Sequence, residues 1–232
     1  MRRGFFILLI ASLLTFAGFG KPTNPSLGGG LFSVSKDKQV RFAPGNLVYD
    51  GGYLFADHQY DYGGYFGWGT GGNPMLTSTD YHDYSSFDDW GSHIDGGWRT
   101  LSSDEWFYVI NDRPNASTKR GAATVCGVHG LVLLPDSWNG GAFHAGFENR
   151  WNTNVYDAFS WSVIEAAGAV FLPAAGYRYG SENGKVGTIG CYWSSTPREY
   201  DTYYLCFRGI NEDGYDIGNR EYGKSVRLVQ DY

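Results

Sequence analysis

Residues 98–106 read Trp98-Arg99-Thr100-Leu101-Ser102-Ser103-Asp104-Glu105-Trp106, and they contain the clearest helix start in the chain. Ser102 and Glu105 stand at capping-box spacing: the hydroxyl can satisfy one free N–H of the first turn while the carboxylate reaches back to another. Trp106, Val109 and Ile110 then share one face at i, i+3 and i+4. Pro114 stops the helix, because its ring replaces the N–H that the next turn needs.

Strand signals flank this helix on both sides. Upstream, 31–34 and 39–42 bracket the polar turn 35–38, and 46–49 and 53–56 bracket Asp50-Gly51-Gly52, a stronger hairpin signal. Regular pattern fades over 57–97, where Gly pairs alternate with Tyr60, Tyr62, Tyr65, Phe66, Trp68, Tyr81, Tyr84, Phe87 and Trp90. So many rings argue for a long ordered loop with a buried side rather than for disorder. Downstream, Ser162 and Glu165 repeat the capping-box spacing, and Gly168 suits the left-handed position after a last turn, so a second, shorter helix is expected from about Ser162. Residues 169–172 and 174–177 read as an apolar strand interrupted by Pro173. Residues 192–196 and 203–207 read as two strands joined by 197–202, and 225–229 as a closing strand. Alternation puts Tyr203, Leu205 and Phe207 on one face and Thr202, Tyr204, Cys206 and Arg208 on the other. Strands outnumber helices without alternating with them, which is the pattern of an α+β domain. No internal repeat is visible.

The first twenty residues read as a signal peptide: Arg2 and Arg3, an apolar run over 5–19, and small Gly18 and Gly20 before the expected cut. A retained N-terminal anchor is the alternative reading. No Cys lies near the cut, so a lipidated N-terminal cysteine is not expected. Residues 21–30 are expected to form a flexible lead-in, and 31–232 one domain outside the cytoplasm, secreted, at the cell surface or in the periplasm, with no membrane span once the signal is removed. Losing Arg2 and Arg3 takes the formal net charge from -6 to -8, which argues against nucleic acid and anionic membrane as partners. The 41 aromatic residues and 34 glycines suit short strands and tight turns, not a helical bundle. Of Cys126, Cys191 and Cys206, at most one pair can bridge; three free thiols is the leading reading, and Cys191 with Cys206 the best pair if a bridge forms.

Several groupings of potentially reactive residues stand out. Asp80, His82, Asp83, His93 and Asp95 are the densest set of potential metal ligands or acid–base groups, but their spacing matches no metal motif and fits ordinary loop polars. Asn211, Asp213 and Asp216 around Gly214 echo a calcium loop without its bidentate Glu. No Gly-x-Ser-x-Gly elbow, phosphate loop or dinucleotide fingerprint is present, and Ser194 and Ser195 read as structural hydroxyls beside a buried Trp193. Asn115-Ala116-Ser117 has the form of a glycosylation acceptor. No cofactor is implied. Trp98, Trp106, Trp161 and Trp193 are expected in the core. Tyr200, Tyr204, Tyr215 and Tyr222 instead sit among Asp201, Arg208, Asn211, Asp213, Asn219 and Arg220. Rigid rings among adaptable hydrogen-bonding groups are the composition of a recognition surface.

The order of motifs resembles a known family. Trp98 to Trp106 is similar to the "RLPT-x-x-EW" helix start of the formylglycine-generating-enzyme-like branch of the C-type lectin fold. Tyr192-Trp193-Ser194-Ser195-Thr196, with the closing Gly223-Lys224-Ser225-Val226-Arg227-Leu228-Val229, resembles the "YWSS…G-x-SVRxV" end of the Fibrobacter succinogenes major paralogous domain. The opening LFSVS…VRFAPGNL over 31–47 is shared with secreted proteins of gut Bacteroidetes. The resemblance implies a C-type-lectin-like core: two helices, small antiparallel sheets, and long loops on one face that binds sugars or proteins. It also implies relatives that serve as adhesion subunits or whose C-terminal residues are diversified. The Glu-Pro-Asn, Gln-Pro-Asp and Trp-Asn-Asp triplets of calcium-dependent lectins are absent, and Cys191 and Cys206 lack the close spacing of the sulfatase-modifying enzymes. The expectation is therefore a non-enzymatic module that binds a glycan or protein through the segment 198–222, with 60–90 as a second contributor. The alternatives are an enzyme, either related to the sulfatase-modifying branch or a metal-assisted hydrolase, and a fibre subunit whose N-terminal segment is donated as a strand.

Overall fold

The computed structural model describes residues 29–143, 149–209, 211–212 and 216–232. The signal peptide expected over 1–20 and most of the lead-in lie outside them; Gly30, expected in the lead-in, already packs against Pro135 and Gly168. In chain order the elements are β1 (Phe32–Ser33), β2 (Gln39–Phe42), β3 (Leu47–Tyr49), β4 (Tyr53–Phe55), β5 (Trp98–Arg99), α1 (Ser103–Phe107), β6 (Arg120–Val125), β7 (Val128–Leu133), β8 (Val155–Tyr156), α2 (Ala158–Ala166) and β9 (Val170–Pro173). They continue with β10 (Tyr177–Tyr179), β11 (Glu182–Gly184), β12 (Ile189–Arg198), β13 (Asp201–Arg208), β14 (Asn211–Glu212), β15 (Asp216–Asn219) and β16 (Val229–Asp231). The molecule is α+β and mostly β, as expected. One sheet runs β1-β2-β16-β5, uniting the two ends of the domain; a second runs β8-β6-β7-β9; a third joins β12, β13 and β14, with β15 also on β13. Two hairpins, β3–β4 and β10–β11, join no further strand among the described residues. Among the described residues, the pairings between these strands are antiparallel except that of β6 with β8.

Helix α1 begins as its sequence dictates. Ser102 Oγ accepts from the Glu105 N–H at 3.2 Å, and Glu105 Oε2 accepts from the Ser102 N–H at 2.9 Å. After Phe107 the helix widens into one π turn, Tyr108–Asp112, and ends at Arg113, just before Pro114. Helix α2 departs from expectation. Its cap is Asp157, whose carboxylate accepts from the Ser160 N–H at 2.8 Å, and Ser162 lies inside the helix with its hydroxyl donating to Phe159 O. An ionised acceptor at the positive end of the helix outcompetes a neutral hydroxyl one turn later. Glu165 is drawn off to accept from Gln59 Nε2 at 2.9 Å. Gly168 closes the helix with φ +96°, as its position predicts.

Three further boundaries differ. Pro173 does not interrupt one strand but ends β9, and 177–179 turns away to pair with β11. The loop expected over 197–202 shrinks to a turn at Glu199 and Tyr200: β12 carries an irregularity between Trp193 and Pro197 that admits the proline, and Pro197 pairs with Thr202. The closing strand is regular only from Val229; Ser225 is held instead by an isolated parallel bridge to Tyr192.

Sheet β8-β6-β7-β9 separates two apolar clusters. Leu131, Leu133, Val170 and Leu172 pack with Trp106, Val109 and Ile110 of the α1 segment, while Val132, Leu134 and Phe171 pack with Trp161 of α2. A third cluster gathers Leu47, Phe66, Trp68, Trp90, Trp98, Trp193, Val226 and Leu228. Trp98, Trp106, Trp161 and Trp193 are all buried, as expected. The three cysteines are free thiols, with Cys191 and Cys206 facing each other across β12 and β13.

Candidate ligand-binding face

The long segment 57–97 is ordered by its rings. Phe66, Trp68, Tyr84 and Trp90 are buried. Trp68 Nε1 donates to Ser194 O at 2.9 Å, Trp193 Nε1 to Phe66 O at 2.5 Å and Tyr84 Oη to Ser78 O at 2.8 Å. Trp68, Trp193 and Tyr84 thus bury large apolar bodies while their polar tips find carbonyls. Asp80 and Asp89 cap two single 3-10 turns, Tyr81–Tyr84 and Trp90–His93, by accepting from the His82 and Gly91 N–H groups. The segment is laid against the C-terminal stretch through Trp68 N–H to Arg220 O and through paired bonds between Phe66 and Lys224. Hairpin β10–β11 joins from the side, with Arg178 and Gly223 exchanging backbone bonds.

The residues expected to bind ligand fall into separate places. Tyr200 stands exposed on the β12–β13 turn, edge-on to Tyr81 at 5.9 Å between ring centres. Asn219, also exposed, pairs with Asp201 near that end of β13. Arg208 and the backbone of Asn211 lie at the other end of the strand, roughly 23 Å away at about 3.3 Å per residue. The side chain of Asn211, and Asp213 and Tyr215 altogether, lie outside the described residues. Arg220 turns inward: its guanidinium sits 4.4 Å over the Trp68 ring and donates to Asp201 O, Glu199 O and Tyr84 O. It is a buried clamp on the turn, and burial pulls its pKa below the usual arginine value. Tyr204 and Tyr222 are half-buried around Lys224, and Tyr204 Oη donates to Asp216 Oδ2 at 3.1 Å. Burial, then the charges of Cys191 and Asp216, push the Tyr204 phenol well above its ordinary pKa. Exposed Tyr179, packed on Tyr222 at 4.9 Å, belongs to the same face but lies outside the expected segment. Its signal was the alternation Tyr177-Arg178-Tyr179 before Gly180.

Beside these rings lies an open groove of about 530 Å³, between hairpin β3–β4, residues 61–66, Pro74 and Met75, and Arg178. Phe55, Tyr65 and Phe66 line it with rings, and Asp50, Asp57 and Asp61 with carboxylates. At Gly63, φ is +73° and a Cβ would meet Asn46 Cβ at 2.6 Å, so only glycine lets this wall approach β3 so closely.

The acid–base constellations do not assemble. His82 pairs with Asp80 at 2.7 Å and His93 with Asp88 at 2.9 Å, all four accessible to solvent, while Asp83 and Asp95 are exposed. Among the described residues no three His, Cys, Asp or Glu converge as a metal ion would require. Asp216 is engaged with Tyr204 and the Ile217 N–H. Ser194 is a buried hydroxyl donating to Tyr203 O at 2.6 Å. Comparison of the chain with protein-family models, with curated proteins and with solved structures returned no match. No helix among the described residues is long and apolar enough to cross a membrane.

Proposed function

We propose that this chain is a secreted or cell-surface ligand-binding or adhesion module with a C-type-lectin-like core, recognising a glycan or protein through its loop face without chemistry. The observation that carries this reading is a set of outward rings held in fixed poses. Tyr200 is 71 % exposed and braced by Tyr81, and Tyr179 is 44 % exposed and braced by Tyr222. Exposed rings cost apolar hydration unless something covers them, and braced rings lose little entropy when it does. The Arg220 clamp supports the reading, because it stiffens the turn that carries Tyr200. The net negative charge favours ligands other than nucleic acid.

The test is a glycan and protein array probed with residues 21–232, followed by Tyr81→Ala with Tyr200→Ala. Binding to the captured ligand should weaken by about tenfold or more, the scale of an aromatic hot spot. Unchanged binding would place recognition elsewhere.

A further inference from the structure

The groove beside hairpin β3–β4 has features that the exposed tyrosines do not explain. Leu54 is 56 % exposed and Met75 is 70 % exposed, and both line it. Large apolar side chains left open on two sides of one concavity mark a surface that is covered in use. Asp50 and Asp57 are exposed carboxylates of this wall, Asp50 at the turn of the hairpin and Asp57 at its base. Asp61 accepts from the His58 N–H at 2.9 Å and lies 3.3 Å from His58 Nδ1. The opposing cation is Arg178, whose Nη2 is already donating to Leu76 O at 3.1 Å. The lining holds three carboxylates against one engaged guanidinium, so its field is negative.

We propose that this groove receives a basic segment of a partner polypeptide, with one Arg or Lys side chain at Asp57 and Asp61, a second at Asp50, and a neighbouring apolar side chain against Leu54 and Met75. An extended peptide presents alternate side chains about 7 Å apart on one face, which suits a charged subsite beside an apolar one. A guanidinium also lies flat against rings such as Tyr49 and Phe55 while pairing with carboxylates. This inference rests on the reading of the loop face as a recognition surface and names one of its partners by chemistry.

Three capped hexapeptides alternating Leu with Arg, Ser or Glu separate the terms. They are titrated into the protein while the methyl resonance of Met75 is followed; Met1 is the only other methionine. The Leu–Arg peptide should shift that methyl and bind about tenfold or more tightly than the Leu–Ser peptide, with affinity falling as salt shortens the screening length. Asp50→Asn with Asp57→Asn should remove the preference for Arg without moving Tm, and Leu54→Ser with Met75→Ser should weaken both peptides. Equal binding of all three peptides, a preference that survives the double Asn variant, or a Met75 methyl displaced only by neutral oligosaccharides would overturn the proposal. If the array ligand still binds and still depends on Tyr81 and Tyr200 while Met75 stays unmoved by the Arg peptide, only the groove inference fails. If no ligand binds anywhere, the reading as a binding module fails with it.

Discussion

Lys224 places an ammonium group inside an aromatic box, 3.9 Å from the ring centre of Trp193, 4.2 Å from Tyr204 and 5.4 Å from Tyr222. Burial pulls its pKa down to about 8, although the charges of Glu221 and Asp216 work in the opposite direction. In the unfolded chain the amine keeps its ordinary value near 10.5, so between pH 8 and 10.5 the unfolded state holds more protons. Stability contributed at this position therefore rises across that window. Lys224→Met is expected to be roughly 1–3 kcal/mol more stable than the parent at pH 7, with the difference shrinking toward pH 10 in urea titrations. A constant difference would remove Lys224 as the cause. The parallel comparison matters because Tyr84, raised to about 12 chiefly by burial, works in the other direction above pH 10 in both proteins. The cysteine pair is a second residue-scale test. Cys191 O accepts from Ser225 N–H, so it faces away from β13, and Cys191 with Cys206 is a non-hydrogen-bonded pair. Such pairs hold their Cα atoms about 4.5 Å apart, within disulfide reach. Refolding in a glutathione redox buffer is expected to yield a Cys191–Cys206 bridge, leave Cys126 open to alkylation, and raise stability by about 2–3 kcal/mol. A peptide map showing only glutathione adducts would count against it.

At the scale of elements, the two helix starts make opposite predictions about similar serines. Ser102→Ala removes a hydroxyl that accepts from the Glu105 N–H and should cost about 1 kcal/mol. Ser162→Ala removes a hydroxyl that only donates to a carbonyl within the helix and should change stability by less than about 0.5 kcal/mol. Asp157→Ala, at the observed cap, should again cost about 1 kcal/mol. Urea melts of the three variants settle where α2 begins; a large loss at Ser162 with none at Asp157 would move the helix start back to the serine. The capping rule is sound at both places. Only the competition among nearby acceptors, Asp157 against Ser162, was hidden from local spacing.

At the scale of the whole molecule, Asp136 ties the first hairpin to the chain following β7. It accepts from the Ser33 N–H at 2.7 Å, the Ser33 hydroxyl at 2.6 Å and Gln39 Nε2 at 2.9 Å, and pairs with Arg113 at 3.3 Å. Burial alone would raise its pKa; the bonds from Ser33 and Gln39 and the charge of Arg113 outweigh that and hold it below the usual carboxylate range. Its contribution is therefore complete above the unfolded-state value and is lost as pH falls through the lowered folded one. Asp136→Asn is expected to cost about 1–3 kcal/mol at pH 7 and to flatten the loss of stability between roughly pH 5 and 2. An unchanged acid limb in the variant would show that other carboxylates carry it.

Sequence alone determined the features whose physics is local. These are the hairpins at Ser35–Lys38 and Asp50–Gly52, the Ser102–Glu105 box, the Gly168 terminus, and the burial of Trp98, Trp106, Trp161 and Trp193. Turn chemistry, capping and the hydrophobicity of a large ring act over a few residues and are written in the order of the chain. Tertiary structure decided the rest. It split 169–177 between two sheets, extended β12 and β13 to a tight turn, and drew Arg220 inward over Trp68. It also dispersed Tyr200, Arg208 and Tyr222 and built a groove from β3–β4, Met75 and Arg178. Those outcomes depend on which distant strand supplies a hydrogen-bonding partner and which side of a ring is left without one. Nothing in a short window of sequence contains that information, because the partner lies a hundred or so residues away.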